Sequence, residues 1–307
     1  MHIPKLTLGT AQLRLDYGIA NINGKPGHQK SSEILKVAAN YGVNCFDTAP
    51  SYGDSEKVVG LFLSSYHHFS EPPIIVTKLP PITLNSDATT NEVYNLVRGH
   101  VIESIKRLRL KMIPIYLLHR ASDIDACNGL IIESLRRLKD EGLIGVVGVS
   151  VYTPEEVKHA LELEAITAIQ APINIFDQRL IKTGLLDQLR GKNFIVFARS
   201  VFLQGLFFLD VDNLPPGLAL AESPLRQLQR LSRDQQISIA ELALSFVRDL
   251  PGIASLVIGA ESPNQVLEDI GLMKLPLLPS ELRAEIMSTF SNLPLELINP
   301  TLWGSNK

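Results

Sequence analysis

The stretch Asn44-Cys45-Phe46-Asp47-Thr48-Ala49-Pro50-Ser51-Tyr52-Gly53 decides how the rest of the chain is read. Its first half is short and apolar and ends on an acid. Its second half breaks into Pro, Ser and Gly and carries a phenol. That is the pattern of a buried strand handing over to a loop. Taken singly, a strand-end Asp is often a turn cap and a loop Tyr a packing residue. Together at one strand mouth they become chemistry only if partners stand on neighbouring strands.

Neighbouring strands are easy to find. Short β-branched runs at residues 6–10, 43–47, 74–78, 113–118, 144–150, 166–170, 194–200 and 255–258 alternate with longer segments of helical period. Ile34, Leu35, Ala38 and Tyr41 recur at helical spacing, as do Val93, Leu96, Val97, Val101, Ile105 and Leu108. Thr153-Pro154-Glu155-Glu156 opens a helix with a cap, a first-position proline and two acids, and Gly142 closes one running from about 130 to 141. Eight strand-helix units predict an α/β fold of the (β/α)8 TIM-barrel type. An open doubly wound sheet would show a Gly-rich first turn, whereas the first strand is followed by Gly9-Thr10-Ala11-Gln12. One domain is expected over residues 1–307, with the barrel at about 5–271. A tail at about 272–307 carrying one helix is expected to lie over the barrel mouth. The run Leu214-Pro215-Pro216-Gly217 reads as a long loop after the seventh strand.

Composition narrows the class of partner. A chain of 307 residues, 45% hydrophobic, suits one large barrel, and no apolar run approaches the roughly 18 residues of a membrane span. A formal charge of −3 gives no general attraction to nucleic acid or anionic membranes. A small molecule is the expected partner, bound by a monomer or small homo-oligomer. Cys45 and Cys127 make no disulfide framework, and Met1-His2-Ile3-Pro4-Lys5 lacks the apolar stretch of a signal peptide, so a cytoplasmic location is expected. No metal-ligand cluster is apparent.

In a barrel of this type the active groups stand at the C-terminal ends of the strands. Those ends supply Asp47 with Tyr52 in its loop, then Lys78 after Ile74-Ile75-Val76-Thr77, then His119 after Ile115-Tyr116-Leu117-Leu118. A lysine or histidine at a strand end can simply reach out to water, but these four types together form a kit for acid catalysis. A phenol with an ordinary pKa of about 10 is too weak an acid to protonate an alkoxide quickly at neutral pH. A nearby ammonium favours the phenolate, and an acid paired to that ammonium keeps it charged and in place. The histidine is free to orient a carbonyl and stabilise charge growing on its oxygen. No Ser or Cys nucleophile is apparent, so a hydride from a nicotinamide is the economical attacking group.

These residues resemble the aldo-keto reductase superfamily. The run Phe46-Asp47-Thr48-Ala49-Pro50-Ser51-Tyr52-Gly53 with Glu56 and Gly60 is similar to that family's first signature, and Lys78 and His119 fall where its remaining catalytic residues stand. The resemblance implies Tyr52 as general acid, Lys78 and Asp47 as tuners of its pKa, and His119 as the carbonyl-orienting residue. It implies an NADP- or NAD-dependent reductase of an aldehyde, ketone or sugar carbonyl. The alternative is a nucleotide-binding regulatory or sensing protein with little turnover. For the cofactor it implies Asp47, Ser150, Gln170, Arg199, Ser200, Gln204, Gly205, Gly259, Ser262, Gln265 and Asp269. This chain departs from the family pattern at several of these places. Val151 follows Ser150 where Asn is common, and Arg199 stands where an aromatic residue often faces the nicotinamide. Glu261 and Asp269 occupy a region that is basic in members preferring NADP; the resemblance implies NADP, these two carboxylates weaken that expectation, and NAD is the alternative. Leu13-Arg14-Leu15-Asp16-Tyr17-Gly18-Ile19-Ala20-Asn21 is similar to a bacterial branch associated with sugar metabolism, with Arg14, Asp16 and Arg120 as candidates to recognise hydroxyls or an acidic group.

Overall fold

The structure, a computed structural model, describes residues 1–21, 24–84 and 88–303. Eight parallel strands close into a barrel in chain order. They are β1 (Leu6–Gly9), β2 (Cys45–Asp47), β3 (Ile74–Leu79), β4 (Ile113–Leu118), β5 (Ile144–Ser150), β6 (Ala168–Pro172), β7 (Ile195–Arg199) and β8 (Ile253–Gly259). Helices α1 (Ala11–Arg14), α2 (His28–Asn40), α3 (Ser55–Ser65), α4 (Thr90–Leu108), α5 (Leu130–Asp140) and α6 (Pro154–Leu161) wrap the first half. Helices α7 (Arg179–Lys182), α8 (Leu185–Gly191), α9 (Glu222–Gln235), α10 (Ile239–Arg248) and α11 (Pro263–Leu272) wrap the second, and α12 (Ser280–Thr289) and α13 (Leu295–Ile298) follow the last strand's helix.

Alternation along the strands decides which side chains enter the barrel. Cys45, Ile74, Val76, Ile115, Leu117, Ala168 and Phe197 form the packed interior. Phe46 points the other way, into the apolar layer shared with Ile34, Leu35, Val59 and Phe62 of the helices. Two residues on from interior positions come Asp47, Lys78, His119, Gln170 and Arg199, so the same parity that fills the core carries these five to its upper layer. In the ladders Asp47 lies beside Gly9 and Val76, Lys78 beside Leu117, and Gln170 beside Ser150 and Phe197.

Local signals account for the helix ends. Thr89 and Thr153 each accept from the backbone N–H three residues on, while Glu92 and Glu156 reach back to the cap, making two complete capping boxes. Gly142 turns the chain out of α5 at φ +74°. The tail reaches the rim of the mouth. Phe290 packs on Phe176 at 5.1 Å between ring centroids, and Phe176 packs on Phe207 at 4.8 Å. Gln178 Nε2 donates to the Ile286 carbonyl at 3.2 Å. The tail's apolar residues Leu282, Ile286, Phe290 and Leu297 are buried, and among the described residues none beyond Leu272 lines the large cavity. The Pro-rich run 214–217 passes into a 3-10 segment, Pro216–Ala221, that leads into α9. Among the described residues no helix is long and apolar enough to cross a membrane.

Candidate active site

Asp47 and Lys78 meet at the top of the barrel core. Lys78 Nζ donates to Asp47 Oδ1 at 2.7 Å and to the Thr48 carbonyl at 3.0 Å, and Lys78 is only 1% exposed. Gln170 Nε2 donates to the same Asp47 oxygen at 2.7 Å, so the carboxylate is held from two strands. The Lys78 ammonium also lies 5.0 Å from the centre of the Tyr52 ring. Burial works against the charged lysine and is the largest single influence on it. The charge of Asp47 and the neighbouring Tyr52 together outweigh it, and the lysine pKa is raised. Burial pushes the Tyr52 phenol up and the Lys78 charge pulls it back, with burial winning. In the site as it stands, the phenol keeps its proton and the lysine keeps its charge.

His119 stands edge-on to Tyr52, ring centroids 5.9 Å apart at 90°. Its Nδ1 lies 3.3 Å from Ser51 Oγ. Burial first, then the charges of Lys78, Arg199 and Arg120, push its pKa down to about 4. The imidazole is therefore neutral at physiological pH. Sequence reasoning that asks only for a histidine does not reveal this.

A cavity of about 420 Å³ opens beside Tyr52 and runs to α11. Of the residues the resemblance implies for the cofactor, Asp47, Gln170, Arg199, Ser200, Gln204, Gly205, Gly259, Gln265 and Asp269 line it. Ser150 and Ser262 do not. Ser150 is buried against the β6 ladder, and the Ser262 hydroxyl is occupied as the cap of α11, accepting from Gln265 N–H at 3.3 Å. Two loops close over the cavity where Ile19 N–H donates to the Gln204 carbonyl at 2.9 Å. Leu203 and Gln204 carry positive φ there, 46° and 54°, which side chains other than glycine adopt at a cost.

Some wall residues escaped the sequence reading. Gln12 of α1, and Tyr17, Phe202 and Phe208 from the segments that follow α1 and β7, line the cavity. Their signal, had it been used, was position after a strand end. Conversely, the three charged candidates for hydroxyl recognition are loop braces. Arg14 pairs with Asp54 and contacts His28, Asp16 accepts from Lys25 N–H at 2.9 Å, and Arg120 pairs with Asp123 at 2.7 Å. Asn174, just past β6, is likewise engaged: its Oδ1 accepts from the N–H groups of Phe176 and Asp177, and its Nδ2 donates to the Ser200 carbonyl. Among the described residues no group of three His, Cys, Asp or Glu side chains is placed to hold a metal ion.

A closed parallel barrel with ionisable side chains gathered at its C-terminal mouth beside a long cleft defines a (β/α)8 enzyme. Comparison with known proteins gives the class its family. The chain belongs to the aldo/keto reductase family, whose model matches residues 5–288, and is an oxidoreductase of the NAD(P)-dependent kind. A protein named NADH-specific methylglyoxal reductase from Escherichia coli (strain K12) is 27% identical over 310 residues, covering 89% of this chain and 94% of its own. An L-glyceraldehyde 3-phosphate reductase of the same organism is 23% identical over 88% of this chain and 84% of its own. Among solved structures, aldo-keto reductase AKR11C1 from Bacillus halodurans in its holo form shares the fold, with a TM-score of 0.76 over 97% of this chain and 96% of its own at 21% identity.

Proposed function

We propose that this chain, acting as one barrel domain, reduces an aldehyde, ketone or sugar carbonyl to the alcohol, with Tyr52 as proton donor. The observation that carries the reading is the Lys78 ammonium placed between the Asp47 carboxylate at 2.7 Å and the Tyr52 ring at 5.0 Å, under one end of the cavity.

Each residue then has one task. Tyr52 holds its proton at neutral pH and gives it to the carbonyl oxygen as charge develops there; Lys78 stabilises the phenolate left behind. Asp47, gripped by Gln170, keeps Lys78 charged and fixed. His119 is neutral, and with the Ser51 hydroxyl donating to Nδ1 its Nε2–H is the donor that orients the carbonyl oxygen. A nicotinamide dinucleotide, when bound, supplies the hydride.

The walls of the cavity suit such a group. Gln170, Arg199 and Ser200 stand at the Tyr52 end, Gln204 and Gly205 in the closing loop, and Glu261, Gln265 and Asp269 at the far end. At that far end Glu261, Glu268 and Asp269 put three carboxyl groups into the wall. Lys30 comes near enough to Glu261 to act on its charge, yet does not line the cavity. A 2′-phosphate is repelled there, so NADH is the reading. The relative named as NADH-specific is in keeping with it.

Following loss of NADH absorbance across a panel of aldehydes, ketones and sugars tests the proposal. One or more substrates are expected to turn over, faster with NADH than with NADPH. Tyr52→Phe is expected to lower kcat by about 10²–10⁴-fold, the usual worth of a positioned acid, with NADH affinity nearly unchanged. Undiminished turnover by Tyr52→Phe assigns the proton to another group.

A further inference from the structure

At its Tyr52 end the cavity carries one cation that no carboxylate pairs with among the described residues. Arg199, at the end of β7, is the only lysine or arginine among the described residues that line it. Its hydrogen-bond partners are neutral, the Val151 carbonyl at 3.1 Å and Ser200 Oγ at 3.5 Å. One face of its guanidinium is covered by the Tyr152 ring, 4.2 Å from the centroid. Beneath it, the Lys78 charge is already matched by Asp47, and His119 is neutral. This end of the cavity therefore holds about one unmatched positive charge, fixed by two hydrogen bonds and an aromatic face.

We propose that Arg199 makes the site bind the reduced dinucleotide in preference to the oxidised one, and so biases the enzyme toward carbonyl reduction. The inference rests on the nicotinamide reading above. Hydride transfer breaks a C–H bond at the nicotinamide ring and forms one at the carbonyl carbon. The carbonyl is reduced, and its oxygen takes the proton from Tyr52. The ring gives up two electrons with the hydride, and passes from neutral to cationic. For the hydride to reach a carbonyl held by Tyr52 and His119, the ring must occupy the part of the cavity adjoining Tyr52. The walls there are Asp47, Gln170, Arg199 and Ser200.

The neutral ring feels Arg199 as a flat polar surface. The cationic ring feels a like charge. An aromatic side chain in this place would do the opposite, because its electron-rich face attracts a cation. Arg199 thus separates the two redox states of the cofactor on charge alone and hastens departure of the oxidised one. The penalty falls on the product, so it opposes the back reaction most while the oxidised cofactor is below saturation.

Equilibrium titration of the purified protein with NADH and, separately, with NAD+ reads the effect directly. NADH is expected to bind the unaltered protein more tightly. In Arg199→Gln the ratio of the two dissociation constants is expected to fall by about tenfold, the scale of one unmatched charge a few ångströms away at a partly buried site. Arg199→Lys, which keeps the charge, is expected to retain most of the preference. An unchanged ratio in Arg199→Gln overturns the proposal. So does equal or tighter binding of NAD+ by the unaltered protein, a result that needs no variant to fold. Failure to bind either nucleotide is a different outcome and removes the function reading itself.

Discussion

The Asp47–Lys78 pair is the most heavily buried charge contact in the site, at 5% and 1% side-chain exposure. A pair so placed need not stabilise the fold. Desolvating two ions costs several kcal/mol, and their attraction only roughly returns it. Removing one partner is different, because the other is left as an unmatched buried charge. Asp47→Leu is therefore expected to destabilise by about 3–5 kcal/mol, and adding Lys78→Met to recover most of that loss. Recovery stops short of complete because Gln170 Nε2 still lacks the oxygen it donates to. Denaturant midpoints of the single and double variants measure both numbers. A double variant no more stable than Asp47→Leu shows that the carboxylate supports the fold by other contacts. Strand alternation from Cys45 and Val76 already points both side chains into the barrel; what was not legible is how completely they are buried. The neutrality of His119 was not legible at all, since it comes from burial first and then from Lys78 and Arg199 on two other strands as well as from the adjoining Arg120.

Among the elements, α3 shows how a residue quoted as part of a family signature is explained by packing. A Cβ on Gly60 would lie 2.1 Å from the Arg107 carbonyl oxygen and 2.9 Å from Leu108 backbone atoms, all at the end of α4. Glu56, one turn earlier, is 2% exposed, accepts from Thr77 Oγ1 at 2.7 Å and pairs with Arg107 at 3.1 Å. Together they lock α3 onto β3 and α4, and so hold the loop that bears Tyr52. Helix propensity alone favours Gly→Ala by about 0.5–1 kcal/mol. At Gly60 the backbone clash outweighs it, and Gly60→Ala is expected to cost about 1–3 kcal/mol or more. A Cβ on Gly99, in the middle of α4, would meet nothing within 4 Å, and Gly99→Ala is expected to gain the propensity term. Urea midpoints at constant m-value compare the two, and equal effects would contradict the packing argument. Strong periodicity is what made the barrel legible, because β-branched runs and 3.6-residue spacing are local. What failed locally was also local. The sixth strand is Ala168–Pro172, two residues later than its apolar run suggested, since a proline is tolerated at a strand end where its missing N–H is not needed. Helix α13 spans four residues, too few for any period to show.

Across the whole molecule, two site groups tilt stability against pH in opposite senses. His119 has its folded pKa depressed to about 4 from 6.5. Between those values the unfolded chain binds a proton that the fold does not, so this contribution grows as pH rises from 4 and is fully present above 6.5. Asp269 is raised to about 7 from 3.8, by burial first and then by Glu268. Its neighbours across a small gap are Leu6, Leu8, Ala38, Val43, Ile258 and Val266, which offer the carboxylate no hydrogen bonds from their side chains. Here the fold binds the extra proton, so stability is lost as pH rises from 3.8 through 7. Each effect is of the order of a few kcal/mol at its limit, and over pH 4 to 6.5 they oppose each other. The wild-type profile alone therefore hides both. Asp269→Asn removes the falling arm, because an amide cannot ionise. The variant is expected to match wild type near pH 4 and to exceed it by about 2–4 kcal/mol at pH 8, with the gap opening through pH 5 to 7. Paired denaturant titrations at five or six pH values read that difference without any assumption about other carboxylates, which cancel between the two proteins. A pH-independent difference would mean that Asp269 ionises as easily folded as unfolded. The acid wall at the far end of the cavity would then be fully charged at neutral pH, and its repulsion of a 2′-phosphate stronger still.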